Sequence, residues 1–241
     1  MEVIISNNHK IPFTFRRSKI ARRLRMQMDT KGKLTLVAPW FTSDKSVQIF
    51  IKQHQRWIEK HWIKIEKLKK LRPEFHYRSG DTFYYFGEPV ILEVKPSEKK
   101  RPSIKIRDDK MLITLHRNIS KQEGIHSIKK VIEEFYRTKA EEVIRDRLDF
   151  FNEHYGFSFN RVTMRDQKSR WGSCSRLRNL NFNWRLIMAP IEVIDYVVVH
   201  ELCHLKEMNH SPRYWSLVAE IMPNHKEMRH WLRKNHYLLT I

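Results

Sequence analysis

Glycine, cysteine and long apolar runs are all scarce in this chain of 241 residues. The two cysteines, Cys174 and Cys203, do not form a CxxC pair, so no disulfide framework is indicated. No apolar run approaches the length of a membrane span, and no charged region followed by an apolar core begins the chain. Only six glycines are present, and none forms a glycine-rich phosphate cradle. We therefore expect a cytoplasmic protein with reduced thiols and no membrane partner.

Acidic residues are also few beside the basic ones. The chain carries 47 lysines and arginines against 27 aspartates and glutamates, a formal net charge of +20. Such a surface attracts polyanions, so nucleic acid or an anionic substrate is one expected partner. A basic surface that only keeps the protein soluble is the alternative interpretation.

The spacing of apolar residues predicts an α+β fold. Alternating positions predict strands up to about residue 40 and again over 81–116, with one long helix over 42–70 between them. Ser120 and Glu123 have the spacing of a capping box and should begin a helix of about thirty residues. We place a boundary near residue 118, between a β-rich basic region over 1–118 and a mostly helical domain over 119–241.

The stretch VVVHELCHLKEMNH, residues 197–210, carries the clearest chemical signal. His200 and His204 are four residues apart, which on a helix puts both imidazoles on one face so that they can share a metal ion. HExxH on a helix is the pattern of zinc hydrolases, with Glu201 beside the activated water. The metal lowers the pKa of that water to about 7, and the glutamate takes its proton as general base.

A catalytic zinc usually has three protein ligands and one open position. His210, ten residues after His200, has the spacing of the third ligand in the metzincin pattern HExxHxxGxxH. Glu207 stands where that pattern has a glycine, so the helix should break at Met208–Asn209, since asparagine tolerates the left-handed conformation. Glu220 on the following helix is the rival third ligand.

A second stretch, residues 165–190, mixes basic side chains with a tryptophan and a glycine. Lys168 and Arg170 are candidates for holding an oxyanion or a phosphate, and Trp171 accompanies them as a substrate contact. Gly172 lies in a strand-like segment, where a glycine often marks the close approach of another backbone or a ligand. The alternative is a structural turn with a solvated basic rim.

Other candidate ligands are less favoured by their positions. Cys203 points about 100° away from His204 on the helix, so it is expected to be a packed small residue. His225, His230 and His236 lack a comparable spacing and are expected at the surface.

Several motifs together resemble one family. RWGSCS, NLNFNWRLIMAP, VVVHELCHLKEMNHSPRYW and the basic segment RRSKIARRLRMQM are similar to the YgjP-like family of predicted metal-dependent hydrolases. This family is grouped with zincin-type metallopeptidases, near the WLM and SprT-like proteins. The resemblance implies a zincin-like catalytic domain with His200, His204 and His210 as ligands and Glu201 as catalytic acid and base.

The resemblance leaves more than one reaction open. A zinc metallopeptidase is the first hypothesis, because three imidazoles suit Zn²⁺ better than Mg²⁺, which prefers oxygen ligands. A nucleoside triphosphate pyrophosphatase acting on UTP, with Mg²⁺ or Mn²⁺ at the same site, is the alternative that the basic charge favours. A nucleic-acid-associated protease of the SprT-like type is the second alternative. The expected substrate is thus a peptide or a nucleotide.

Overall fold

The computed structural model describes residues 2–6, 9–29, 31–71, 73–167 and 169–241. The chain forms two compact units, Met1–Arg72 and Pro73–Ile241. The division therefore falls after the long helical segment and not near residue 118. The reason is packing: Phe83, Leu92 and Ile113, which lie before residue 118, belong to the same apolar core as the helix that follows.

The smaller unit is a sheet covered by helices. Its strands are arranged in the order β1-β2-β4-β3, with β2 and β4 parallel and the two outer pairings antiparallel. Alternate residues of the strands, including Phe13 and Leu36, are buried with Ile58 of the second helix. The elements are β1 (Glu2–Ser6), β2 (His9–Ser18), β3 (Arg25–Met28), β4 (Leu34–Pro39), α1 (Asp44–Gln53) and α2 (Gln55–Leu71).

The single helix expected over 42–70 is interrupted at His54. Apolar periodicity continues through this point, so it gave no sign of the break between α1 and α2. The His54 backbone leaves the helical region, and its ring Nδ1 bonds the Phe50 carbonyl at 2.8 Å. Helix α1 begins close to the predicted residue 42, where the Ser43 side chain accepts a hydrogen bond from the backbone N–H of Ser46.

The larger unit contains two sheets and the remaining helices. One sheet has the strand order β5-β6-β8-β7 and the other has the order β10-β11-β9. Among the described residues, no helix is both long and apolar enough to span a bilayer. The elements are β5 (Thr82–Tyr85), β6 (Glu88–Ser97), β7 (Ser103–Arg107), β8 (Lys110–His116), α3 (Lys121–Tyr155), β9 (Arg161–Arg165), β10 (Gly172–Cys174), β11 (Asn179–Asn183), a 3₁₀ helix (Trp184–Met188), α4 (Ile191–Cys203), α5 (Pro212–Ile221), α6 (His225–Asn235) and a short 3₁₀ helix (His236–Leu238).

Helix α3 is the long scaffold of this unit. It begins with the predicted capping box, in which Ser120 and Glu123 each bond the other's backbone N–H. A stripe at four-residue spacing along it, from Ile128 to Leu148, is buried against the strands and α4. The buried Tyr136 hydroxyl donates to the Tyr84 carbonyl at 2.8 Å, which fixes α3 on β5. A mixed helix-and-sheet fold is thus confirmed.

Helix α4 lies at the centre of the larger unit. Its residues 193–199 are buried, because α3, α5, α6 and β10 all pack around it. One polar group on this helix is compensated: the Asp195 carboxylate receives two hydrogen bonds from the Arg147 guanidinium of α3, at 2.5 and 2.9 Å. Close packing on all sides of α4 restricts the movement of the residues at its C-terminal end.

Candidate metal centre

The site lies where α4 ends and the chain turns back toward α5. The helix ends with His204 as its C-cap, earlier than the expected break at Met208–Asn209. The turn begins with a hydrogen bond from the Glu207 N–H to the Cys203 carbonyl at 2.9 Å. Among the described residues, none between 204 and 211 has a positive φ, so the reversal does not use the left-handed asparagine that the sequence suggested. Helix α5 then begins with Ser211 as its N-cap, whose side chain accepts a hydrogen bond from the Tyr214 N–H.

Three histidines converge at this turn. Donor atoms of His200, His204 and His210 all lie within 4.8 Å of one another. The Nε2 atoms of His200 and His210 are 3.2 Å apart. Two nitrogen ligands at about 2.0–2.1 Å from a tetrahedral zinc would be separated by about 3.3–3.4 Å. The spacing of these imidazoles is therefore close to what one shared metal ion requires.

Neighbouring groups fix the orientation of the His204 ring and hold the backbone of His200. The Nδ1 of His204 bonds the backbone carbonyl of Glu207 at 3.1 Å, which leaves its Nε2 as the free donor atom. The Tyr214 hydroxyl donates to the His200 carbonyl at 2.9 Å, and the tyrosine ring stacks on His204 with 4.5 Å between centroids. Such outer contacts hold a ligand's tautomer and direction.

Two of these histidines, His200 and His204, are also held in the neutral state that a metal needs. Burial, together with the nearby His204, His210 and Arg229, lowers the pKa of His200 to about 3. Burial likewise lowers the pKa of His204. Neutral imidazole has a free lone pair for coordination, whereas imidazolium has none. The donor set therefore fits a divalent cation of the zinc type.

Glu201 directly follows His200 on α4, and its side chain is buried. Burial raises the pKa of its carboxyl to about 8, while the Arg170 charge opposes that rise. Its Oε2 atom has no hydrogen-bond partner among the described residues. A buried carboxyl oxygen without a partner is costly unless a cation compensates it. A dication held by the three imidazoles would favour its ionised form.

The second predicted stretch lies directly against this carboxylate. A Cβ atom placed on Gly172 of β10 would be only 2.4 Å from Glu201 Oε1 and 2.6 Å from its Cγ. The close approach expected at this glycine is present, and the group that approaches is Glu201. Arg170 is exposed beside it and Trp171 is half-buried, whereas Lys168 lies outside the described residues.

One buried residue that sequence reasoning missed holds the loop before Gly172. The Asn183 side chain donates to the Gln167 carbonyl at 2.7 Å and to the Arg170 carbonyl at 3.4 Å. Its backbone N–H donates to the Trp171 carbonyl at 2.7 Å. The sequence did hold a signal for this role: an asparagine at a core-facing position of a strand, where a buried polar group needs hydrogen-bond partners.

Aromatic and basic residues of α5 and α6 form the far side of the site. The Trp215 ring stacks on His210 and, at 5.8 Å between centroids, on His225. His225 is buried and its Nδ1 bonds the Met222 carbonyl at 3.1 Å, so its expected surface position was wrong. Sequence spacing gave no sign of this, because helix packing brings α6 to the site. The Arg229 guanidinium lies 5.0 Å from the Trp215 ring.

The remaining candidates lie elsewhere. His230 is exposed, as expected, and His236 is half-buried. Cys203 is fully buried, as expected for a packed small residue, and burial raises its pKa to about 12. Among the described residues, Glu220 is not part of the histidine group, and its charge acts on the Cys203 thiol instead.

The chain is similar to two solved structures. One is the metallopeptidase zymogen abylysin of Pyrococcus abyssi, with 23% identity and a TM-score of 0.35, over 38% of this chain and 93% of that one. The other is the metallopeptidase zymogen jannalysin of Methanocaldococcus jannaschii, with 18% identity and a TM-score of 0.33, over 40% of this chain and 96% of that one.

The remaining comparisons concern curated proteins and families. No curated protein matches the chain. None of the comparisons supports a nucleotide substrate or a nucleic-acid partner. The family model of the YgjP-like metallopeptidase domain matches residues 22–235. The chain therefore belongs to the YgjP-like metallopeptidase family.

Proposed function

We propose that this protein is a zinc metallopeptidase whose zincin-like catalytic domain lies in the larger unit. The ligands are His200, His204 and His210, and the catalytic acid and base is Glu201. The observation that carries this proposal is the convergence of three imidazole donor sites within 4.8 Å, beside a buried carboxylate. A structural metal site has no need of such a carboxylate, because all of its positions are filled by ligands.

In peptide hydrolysis, the three histidines would hold the metal and Glu201 would transfer the proton. When bound, the metal polarises the scissile carbonyl and lowers the pKa of a water molecule. Glu201 takes a proton from that water while the water oxygen attacks the carbonyl carbon. Glu201 then returns the proton to the amide nitrogen, and the carbon–nitrogen bond breaks to release an amine and a carboxylic acid, which loses its remaining proton to solvent.

Strand β10 is the proposed platform for the peptide. It lies at one end of the order β10-β11-β9, so one of its two edges is not paired within this sheet. An extended peptide could add to that edge through backbone hydrogen bonds. Lys168, Arg170 and Trp171 would then contact the substrate, and Gly172 leaves room for Glu201.

The test is peptide cleavage by the purified, metal-loaded full chain beside Glu201→Gln. The substrates are a set of unstructured peptides and, in parallel, a panel of nucleoside triphosphates. The expected result is peptide cleavage that Glu201→Gln slows by about a hundredfold to ten-thousandfold, the usual contribution of a general base. Glu192→Gln, an exposed position in the first turn of the same helix, is the matched control and should retain activity.

Two results would contradict this proposal. Full activity of Glu201→Gln on every substrate would remove the assigned general base. Peptides that stay intact while UTP is consumed in a Glu201-dependent reaction would replace the peptidase with a nucleotide pyrophosphatase.

A further inference from the structure

The positive charge of the chain is concentrated in the smaller unit. Residues 1–72 carry 18 lysines and arginines against five acidic residues, a formal net charge of +13 out of the chain's +20. Less than a third of the chain therefore holds about two thirds of its excess charge. A solubilising surface has no need of this concentration, whereas a polyanion-binding surface depends on it.

Four of these arginines lie around one edge of the sheet, namely Arg16, Arg22, Arg23 and Arg25. Because β2 and β4 are parallel, both end at the same edge, and the antiparallel β3 begins there. Arg16 of β2 and Arg25 of β3 both pair with Val37 of β4 in the strand register, so all three side chains share one face of the sheet. Leu36, beside Val37, faces the buried side with the helices.

The loop between β2 and β3 extends this basic edge. It contains the exposed side chains of Arg22 and Arg23. The Ser18 hydroxyl accepts hydrogen bonds from the backbone N–H groups of Ile20 and Ala21, each at 3.3 Å. The Ser18 carbonyl also accepts from the Trp40 N–H at 3.1 Å, so this loop is tied to the end of β4.

The charges of this edge are not neutralised internally. Within the part of the chain that the structure describes, Arg16, Arg22, Arg23 and Arg25 form no ion pair. By contrast, arginines and lysines on α3 are paired with glutamates three or four residues away. Four unpaired guanidinium groups on one edge repel each other unless an anionic partner is present.

Two exposed aromatic rings stand at the same edge. Trp40 and Phe41 follow directly after β4 and are 63% and 68% exposed. Their centroids are 5.9 Å apart in an edge-to-face arrangement, so each ring leaves a face open to solvent. Neighbouring large aromatic side chains are seldom left so exposed unless they bind something.

We propose that this basic-aromatic patch, formed by Arg16, Arg22, Arg23, Arg25, Trp40 and Phe41, binds single-stranded nucleic acid. Guanidinium groups contact the phosphates, and the aromatic rings stack on unpaired bases, the combination that single-strand binding uses. Thr14, Thr35 and Gln27 lie on the same face as Arg16 and Arg25, with Val37 between the two arginines. A polar face of this kind suits a hydrated nucleic-acid strand better than insertion into lipid. This activity is independent of the peptidase site.

The experiment measures binding of the full chain to a labelled oligothymidine of about twenty nucleotides, by fluorescence anisotropy over a range of salt concentrations. One variant replaces Arg22, Arg23 and Arg25 with glutamate. Its matched control replaces the exposed Lys64, Lys67 and Lys70 of α2 with glutamate, which removes the same charge elsewhere in the unit. A second variant, Trp40→Ala/Phe41→Ala, removes the rings without changing charge.

The expected results distinguish binding at the basic-aromatic patch from a general effect of positive charge. The arginine variant should lower the slope of log affinity against log salt by about 2, since each phosphate contact contributes about 0.7. The α2 control should retain most of that slope. Trp40→Ala/Phe41→Ala should weaken oligothymidine binding at least about tenfold, because each stacked base contributes about 1–3 kcal/mol. Binding to a duplex of equal length should change far less.

Other outcomes would overturn the proposal. In one, the unmodified chain fails to bind the oligonucleotide at all. In others, the arginine and α2 variants weaken oligonucleotide binding equally, or Trp40→Ala/Phe41→Ala binds it as tightly as the unmodified chain. Vesicles of phosphatidylserine and a polyglutamate peptide are assayed in parallel. Tight binding to either of them, with weaker binding to the oligonucleotide, would assign the patch to a membrane surface or an acidic protein instead. Circular dichroism of each variant shows whether its fold is intact.

Discussion

Gly172→Ala should disable catalysis while leaving the three histidines in place. Gly172 does not have a positive φ, so its backbone accepts alanine without strain. The difficulty is contact, since the new methyl group would lie 2.4 Å from Glu201 Oε1 and 2.7 Å from its Cδ. To reach ordinary contact distance, the carboxylate must move by about 1 Å.

A displacement of that size determines the expected effect on rate. A catalytic group misplaced by about 1 Å can cost on the order of a hundredfold in rate, or about 2.7 kcal/mol in the activation barrier. The extra methyl in a packed site should also lower the free energy of unfolding by about 1–3 kcal/mol. Bound metal should remain, because Glu201 is not a proposed ligand.

The assay compares kcat, metal content and urea unfolding of Gly172→Ala with those of the unmodified protein. Gly124→Ala is the matched control, because the nearest atom to its new methyl would be an ordinary 3.7 Å away. The control should retain full activity. If Gly172→Ala cleaves peptides as fast as the unmodified protein, the carboxylate does not work from the position described, and the reasoning is refuted.

Three further changes test the groups around the site. Asn183→Ala should lower kcat about tenfold or more with metal retained, because the loop before β10 loses its side-chain bonds; equal loss of metal would point to a wider structural role. Tyr214→Leu should weaken zinc affinity, measured by competition with a chelator, by about 10–100-fold, since the stacking on His204 and one hydrogen bond are lost; unchanged affinity would contradict this. Arg147→Met should lower the free energy of urea unfolding by about 2–4 kcal/mol at neutral pH, because Asp195 is left buried and unpaired. Burial already raises the pKa of Asp195 above 3.8, although Arg147 opposes that rise. The loss of unfolding free energy in Arg147→Met should therefore shrink as the pH falls through the folded pKa of Asp195 towards 3.8, because the carboxyl becomes neutral. A loss that grows in acid would show that the unpaired Asp195 charge is not its cause.

Local signals in the sequence predicted much of the fold. The capping box at Ser120, the start of a helix near residue 42 and the strands over 81–116 all follow from short stretches with a defined pattern. Each of these features depends on residues close together in the chain, so no tertiary contact was needed to predict them.

Features that depend on distant contacts could not be predicted in this way. The boundary was placed at residue 118 because the predicted elements change there from strands to helices, but Phe83, Leu92 and Ile113 before it share one apolar core with α3. His225 appeared to be a surface residue because only the docking of α6 brings Trp215 over it. The helix end at His204 and the role of Asn183 depend likewise on packing around α4.

The candidate site was largely visible in the sequence. Spacing alone proposed His200, His204 and His210, and the structure brings their donor atoms together. A glycine in a strand suggested a close approach, but the sequence could not identify Glu201 as the approaching group. Two supporting residues, Tyr214 beside the ligands and Asn183 at the loop before Gly172, come from α5 and β11, which the ligand motif does not include.

The metal content of the purified chain and of its single-ligand variants tests the central claim most directly. Elemental analysis by mass spectrometry should find about one zinc ion per chain in the unmodified protein and in Glu201→Gln, because the base is not a ligand. It should find little zinc in His210→Ala and an unchanged content in Glu220→Ala. Zinc that stays with His210→Ala but is lost from Glu220→Ala would contradict the proposed centre.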